Sequence, residues 1–268
     1  FKESVEHSSE ELEKYPTIAS QYSMRKDHIT DTLSRHGYSA DMLSAVVGRG
    51  GLLPPVKSGA YEVNEEMADV LMNRPVLEHA SNLGGLIAKD IADEAGIPAY
   101  IYDSVSVDEL SDVARITGLS EIVRTSQSHC LNMRAAAIKT AQEMGSAYTD
   151  MNLVVAHLGG GISLSAHRHG QMLDIVSDDE GPFSPERSGR LPIKNFIKLC
   201  AQHDRNEIKK MVRGNGGLVS LLGTNSALEV QKRIDSGDER ARLVYEAMAY
   251  QIAKSIGELA VVLDGEVD

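Results

Sequence analysis

Cationic residues are in short supply. Lys and Arg number 27 against 39 Asp and Glu, a net charge of −12. A surface that tracks a nucleic-acid backbone needs the opposite balance, so nucleic acid is excluded as a main partner. A nucleotide is not excluded, because it needs only a few local cations and amides. Cysteine is nearly absent: Cys130 and Cys200 give no disulfide framework, and a reduced, cytoplasmic setting is expected. No apolar run approaches the roughly twenty residues of a membrane span, no signal-peptide pattern opens the chain, and no membrane partner is expected. The phosphate loop ending in Gly-Lys-Ser/Thr is missing, as is the dinucleotide fingerprint with its distal acid. His-Glu-x-x-His and paired Cys-x-x-Cys are missing too, so no structural zinc site is expected. There is no tandem repeat and no low-complexity segment.

What is present centres on residues 152–192. Leu153-Val154-Val155-Ala156 reads as a buried strand that ends at His157 and runs straight into Gly159-Gly160-Gly161. A second strand alternates Ile162, Leu164 and Ala166 against Ser163, Ser165 and His167. His169-Gly170 makes a turn, and Met172 to Val176 returns as a third strand. A strand, a glycine turn and antiparallel return strands can aim backbone N–H groups at one anion. An acidic run, Asp178-Asp179-Glu180, and the turn-rich string GPFSPERSG, which carries Arg187, close the segment.

The rest of the chain alternates strands and helices. Ser8-Ser9-Glu10-Glu11 reads as a helix start, and Tyr22 to His36 as an amphipathic helix ended by Gly37. Ser44 to Gly48 reads as a strand that delivers Arg49 into Gly50-Gly51 and Pro54-Pro55. Taken alone, Arg49 is a surface arginine in a turn; held by glycines and prolines at a strand end, it becomes a fixed cation. Residues 64–73 form a short helix. His79 stands just before Ser81, a natural N-cap, and the helix behind it runs to Glu94, stopped by Gly96. Ala99 to Tyr102 is a strand with Asp103 at its carboxyl end, where ligands collect in open α/β sheets. Helices are expected over Val107–Ile116 and from near His129 to Gly145. After Pro192 helices follow at 193–200, 207–212, 227–236 and 238–263, with a glycine loop, Gly214 to Leu218, between the second and third. The fresh strand-turn-strand start at Asn152 places a domain boundary near 150, giving a first domain 1–150 and a second 151–268.

Strand ends thus supply Arg49, Asp103 and His157, while loops and helix starts supply His79, His129 and Arg187. Each alone has a structural reading, and His167 and His169 are read as structural or surface residues. Two arginines, three histidines, one aspartate and a triple glycine suit phosphoryl transfer, which needs positioning and cationic stabilisation more than covalent chemistry. From the residues alone the chain is a two-domain α/β enzyme of nucleotides or phosphates.

The strings VGRGGLLPP, EHASNLGG, YDSVSVDELSDVARITG, NLVVAHLGGGIS, GPFSPERSG and GNGGLVSLLGT are long and specific, and together they resemble the acetate kinase family, among its members that act on butyrate. The resemblance covers nearly the whole chain. It implies a duplicated ribonuclease-H-like fold of the actin-like ATPase class, and ATP-dependent phosphorylation of a short-chain carboxylate with Mg2+ between two domains that close on the substrates. By resemblance Arg49 and Arg187 face the transferring phosphoryl group and Asp103 supports Mg2+ or positions the carboxylate. His157 touches phosphoryl oxygens, Gly159, Gly160 and Gly161 form a phosphate loop, and His79 and His129 line the site. Gly50 and Gly51 replace bulky aliphatics of acetate kinases, which is expected to open room for butyrate or a branched relative. The family's opening Asn-x-Gly-Ser loop and closing Thr-Gly-Gly motif do not appear, so the fold is expected to be incomplete at both ends. Ser226 and Leu228 stand where the family has nucleotide-contacting residues. Homo-oligomers, dimers or larger, are implied. The alternatives are an acetate or propionate kinase, or a non-catalytic nucleotide-binding relative of the same fold.

Overall fold

The computed structural model describes residues 1–268, apart from the side chain of Ser9. Its helices are α1 (Ser9–Leu12), α2 (Tyr22–Arg35), α3 (Glu65–Asn73), α4 (Asn82–Ala95), α5 (Asp112–Arg115), α6 (Cys130–Glu143), α7 (Ile193–Cys200), α8 (Arg205–Val212), α9 (Gly217–Leu222), α10 (Ala227–Asp235) and α11 (Glu239–Val262). The strands are β1 (Val46–Arg49), β2 (Ala60–Glu62), β3 (Ala99–Tyr102), β4 (Leu153–Leu158), β5 (Ile162–Arg168) and β6 (Gln171–Val176). None of the described helices is long and apolar enough to cross a membrane.

The chain divides into two compact units, Phe1–Asp108 and Glu109–Asp268. The division falls well before the boundary expected near residue 150, and the reason is packing. Helix α6 buries Ala137 and Ala141 against Met151 and Leu153, and Ser111 N–H donates to the carbonyl of Leu173. Residues 109–150 therefore belong with the strands that follow them.

In the first unit β1 and β3 run parallel and β2 joins β3 antiparallel, in the order β1-β3-β2. Helix α4 covers this sheet, and Leu83, Leu86, Ile87 and Ile91 pack with Ile101, Val63 and Leu71. The helix lies unusually close to β1. A Cβ on Gly48 would come within 2.2 Å of the Gly84 carbonyl oxygen, and one on Gly84 within 2.5 Å of the Arg49 carbonyl oxygen. Only glycines permit that approach. Helix α4 stops at Gly96, which adopts the left-handed conformation at φ 65.

In the second unit β4, β5 and β6 form an antiparallel sheet. Ile162, Leu164 and Ala166 of β5 pack with Val244, Met248 and Leu259 of α11. The alternation in β5 suggests one wet face. Instead Ser163, Ser165 and His167 are as buried as their apolar neighbours. Ser163 and Ser165 lie against the Met133 sulfur of α6, and His167 bonds Ser165 Oγ at 2.6 Å and Tyr148 Oη at 2.7 Å. His169 sits in the turn at φ 52 and does not share the position of His167. The helix expected over Val107–Ile116 shrinks to α5. Val107 and Leu110 are buried at a helix-like spacing, but Val107 pairs with Val56 in a parallel bridge that keeps the chain extended.

Candidate active site

In the first unit two candidates sit at neighbouring strand ends. Arg49 is the last residue of β1, exposed, and pairs in register with Tyr102 of β3, the residue before Asp103. Among the described residues no hydrogen bond or ion pair engages its guanidinium. The loop after it is rigid: Asn82 Oδ1 accepts from Leu52 N at 2.8 Å, and Ser106 Oγ accepts from Leu53 N at 2.8 Å. Asp103 is buried and adopts φ 41, a conformation unusual outside glycine that concentrates at functional sites. It is locked there by exchange with Gly59, whose N–H donates to Asp103 Oδ1 at 2.9 Å and whose carbonyl accepts from Asp103 N. His79 is exposed at the entrance to α4, and its Nδ1 accepts from Ser81 N and meets Ser81 Oγ at 2.8 Å.

The paired glycines after Arg49 do not open space. A Cβ on Gly50 would lie 2.5 Å from the Ser104 Cβ, and one on Gly51 would lie 2.6 Å from Leu71 Cδ2 and 2.7 Å from Asn82 Oδ1. The room left by the missing side chains is filled by protein. The expectation that these glycines admit extra substrate methylenes is corrected: they are packing glycines.

The second unit gathers the other candidates. β4 and β5 are paired up to Leu158 and Ile162, so Gly159, Gly160 and Gly161 form the tight connection. Gly159 N–H donates to the Gly161 carbonyl at 3.2 Å. That donor is spent inside the turn, which narrows the sequence expectation that the whole glycine run faces one anion. His157, at the end of β4, stacks on His129 with centroids 3.9 Å apart and planes 15° from parallel. His129 precedes α6 and is tied to β5 through Ser163 Oγ at 2.9 Å. A Cβ at Gly161 would touch both His129 Cε1 and Asp178 Oδ2 at 3.7 Å, so the turn abuts imidazole on one side and carboxylate on the other.

Arg187 lies beside the same turn. Its neighbour Glu186 donates its N–H to the Gly160 carbonyl at 3.1 Å, and Ser184 Oγ donates to that carbonyl at 2.6 Å. Arg187 Nε donates to Asp178 Oδ2 at 3.1 Å, Arg213 reaches the same carboxylate at 2.8 Å, and Glu186 lies 3.6 Å from Arg187. Asn225 Nδ2 donates to Glu186 Oε1 at 2.7 Å. Asp178, Glu186, Arg213 and Asn225 were not singled out from the sequence as site residues. Asp178 stood out there only as part of an acidic run. A cleft of about 290 Å3 lined by Asp178, Asp179, Arg213, Ser177 and Thr125 borders the cluster.

The glycine loop at 214–218 is a clasp. Gly214 N–H donates to the Glu186 carbonyl, Leu218 N–H to Ser184 and Ser188 N–H to Val212. A Cβ on Gly217, at φ 61, would come within 1.7 Å of the Ser184 carbonyl oxygen. The two glycine-rich loops are laced backbone to backbone, which fixes where Arg187 starts. Ser226 caps α10 by accepting from Glu229 N, and Leu228 is exposed.

The acetokinase family pattern matches residues 119–268. Probable butyrate kinases of Listeria monocytogenes are 46% identical (strain HCC23) and 47% identical (strain F2365) over 272 residues, covering all of this chain and 77% of theirs. The chain belongs to the acetokinase family. Membership carries the family's reaction class, phosphoryl transfer to a carboxyl group. Among solved structures, the acetate kinase of Porphyromonas gingivalis superposes with a TM-score of 0.78 at 20% identity, over 91% of this chain and 66% of that one. A propionate kinase of Francisella tularensis gives 0.68 at 18% identity, over 91% and 65%. These likenesses establish the fold, an α/β fold of the acetate kinase type, and the chain is shorter than the kinases it matches.

Proposed function

We propose that this acetokinase-family protein transfers the γ-phosphoryl group of ATP in line to the carboxylate of butyrate or a branched relative, giving the acyl phosphate and ADP. The observation that supports it best is the cluster of the second unit. Stacked His129 and His157, the Gly159–Gly161 turn and Arg187 on its clasped loop together offer donors and a cation in one place. That set suits a direct transfer. One carboxylate oxygen forms a bond to the γ-phosphorus while the bond to the β-phosphate oxygen breaks. The carboxylate is already ionised at neutral pH, so no general base is required.

In this reading Arg187 and Arg49 offset charge growing on the equatorial phosphoryl oxygens, and His157 and His129 donate hydrogen bonds to them. Gly160 and Gly161 let phosphate approach the backbone, and His79 lines the carboxylate site. Asp103 fits Mg2+: a hard oxygen donor at a strand's carboxyl end, held rigid by Gly59. Mg2+ would supply charge neutralisation on the phosphate chain. Butyrate is favoured by the names of the Listeria relatives. The filled space around Gly50 and Gly51 leaves an acetate or propionate kinase as the second reading. An intracellular homo-oligomer is part of the proposal by family resemblance.

Trapping of acyl phosphate with hydroxylamine, with the full-length protein, ATP and Mg2+, tests it. Hydroxamate should form with butyrate or isobutyrate at higher kcat/KM than with acetate. No hydroxamate from folded protein with any short acid rejects the kinase reading, and equal or better use of acetate rejects the choice of acid.

A further inference from the structure

Apart from the residues assigned to phosphoryl transfer, three side chains of metal-binding type from the N-terminal segment and α2 meet. His7 lies just before α1, Glu11 within it, and His28 in α2. His7 Nδ1 is 3.0 Å from Glu11 Oε2, and His28 Nε2 is 3.4 Å from Glu11 Oε1. The two imidazoles stand edge to face with centroids 5.1 Å apart. One ligand atom from each residue lies within 4.8 Å of the other two.

The two histidine-to-glutamate separations are near the spacing of ligand atoms around one ion, and the whole set lies within 4.8 Å. A tetrahedral ion with bonds of about 2.1 Å spaces its ligand atoms about 3.4 Å apart, so small rotations would bring all three onto one centre. The donor set is selective as well. Two imidazole nitrogens and one carboxylate oxygen suit a borderline ion such as Zn2+, whereas Mg2+ and Ca2+ prefer oxygen throughout. The side chains are 11%, 31% and 42% exposed for His7, Glu11 and His28, which leaves solvent access for a fourth, water ligand. Glu11 contributes a carboxylate, which is ionised at neutral pH and so supplies the anionic ligand. The sequence hides the set because its members are 4 and 17 residues apart and match no metal motif.

We propose that His7, Glu11 and His28 form a site for one divalent transition-metal ion of the Zn2+ class, which pins the segment around α1 to α2. The site is independent of the kinase reading. Its chemistry is structural: three protein ligands hold the ion, and the ion clamps a one-turn helix too short to hold itself.

Co2+ is the probe, titrated into the folded protein and followed by its visible d–d absorption. A Cys200→Ser background removes the exposed thiol that could bind the same ion. One saturable site with tetrahedral or five-coordinate band intensity is expected. His7→Ala and His28→Ala should each weaken binding at least tenfold, and His203→Ala, at a half-buried histidine paired to Glu207, should leave it unchanged. Glu11→Gln keeps the size of the side chain and removes the anion, so it must also weaken Co2+ even if an alanine variant folds poorly. Zn2+ should raise the melting temperature of the parent and protect Lys14 from trypsin, and should do neither in Glu11→Gln. Co2+ binding that is unchanged in Glu11→Gln and His28→Ala, or the absence of a saturable site, overturns the assignment.

Discussion

Arg49 and Arg187, the two cations proposed for phosphoryl transfer, are held in opposite ways. Arg49 ends a strand with an exposed guanidinium that no described residue engages. Arg187 is half-buried on a clasped loop, with Asp178 on its Nε, Glu186 nearby and Arg213 sharing Asp178. Two arginines against two carboxylates leave this cluster neutral before any phosphate arrives. An unpartnered cation attracts an anionic ligand already in the ground state, at the cost of ordering a long side chain. A buttressed one is preorganised, and its value appears when charge develops on the reacting group.

The sharpest break of that comparison is the pair of alanine variants. Arg187→Ala should lower kcat by roughly 10^2 to 10^4 with the KM for the carboxylate within a few-fold, because its interaction grows in the transition state. Arg49→Ala should lower kcat as well but also raise the KM for the acid, since the free cation binds the ground state. Steady-state kinetics of both full-length variants decides it. A KM effect confined to Arg187→Ala would reverse the assignment of roles.

Next in size comes the buried polar face of β5 in the second unit. His167 is fully buried between Ser165 and Tyr148, and burial, with Arg134 nearby, pushes its pKa down from 6.5 to about 4. The folded state therefore holds the ring neutral while the unfolded state protonates it near 6.5. Stability from this source is complete above that pH and is lost as pH falls from about 6.5 towards 4, on the order of 3 kcal/mol in all. Urea midpoints should fall over that window in the parent and less steeply in His167→Gln, a comparison made within the second unit. Parallel slopes would mean that His167 does not dominate acid sensitivity.

Much of this was legible beforehand, and the failures have a common cause. Helix ends marked by capping chemistry were readable: Asn64 accepts from Met67 N, Gly96 takes the left-handed stop, and Asp238 accepts from Ala241 N. Strand Ala99–Tyr102 and the three strands of 153–176 were readable from apolar runs and turn residues. What a glycine is for was not readable. Gly50 and Gly51 looked like an opened pocket and Gly214–Gly217 like a plain glycine loop, yet all the glycines but Gly214 are glycine because backbone or core atoms from distant residues press on them. Burial of the polar face of β5 was hidden for the same reason: it depends on α6, Tyr148 and Met133 arriving from elsewhere. Asp178 looked like one more surface acid, since its meaning lies in Arg187 and Arg213.

The packing reading of Gly50 has its own test, smaller in scale. Gly50→Ala should destabilise by about 1–3 kcal/mol, because the added methyl meets Ser104 and Ile101 rather than open space. Chemical denaturation measures that cost, and Gly50→Ala combined with Ser104→Gly should recover much of it. A variant of unchanged stability that merely shifts preference from butyrate to acetate would restore the pocket reading and make the two arginine loops more alike than they are here.

The mildest change acts on the buttress itself. Asp178→Asn keeps the shape of the side chain and removes its charge, so the cluster moves from neutral to net positive. A phosphate group then no longer competes with the Asp178 carboxylate for Arg187 and Arg213, and the KM for ATP should fall by about two- to tenfold. Arg187 loses its charge-assisted anchor at the same time, and kcat should drop by a few-fold. The pair is partly solvent-exposed, with Arg213 52% accessible, so the stability cost is expected to be about 1 kcal/mol or less. At 1 M salt, where screening extends over about 3 Å, the KM difference between Asp178→Asn and the parent should shrink. A higher KM for ATP in Asp178→Asn would instead place Asp178 among the groups that organise the phosphate through Arg187. The held arginine would then owe its function to being held.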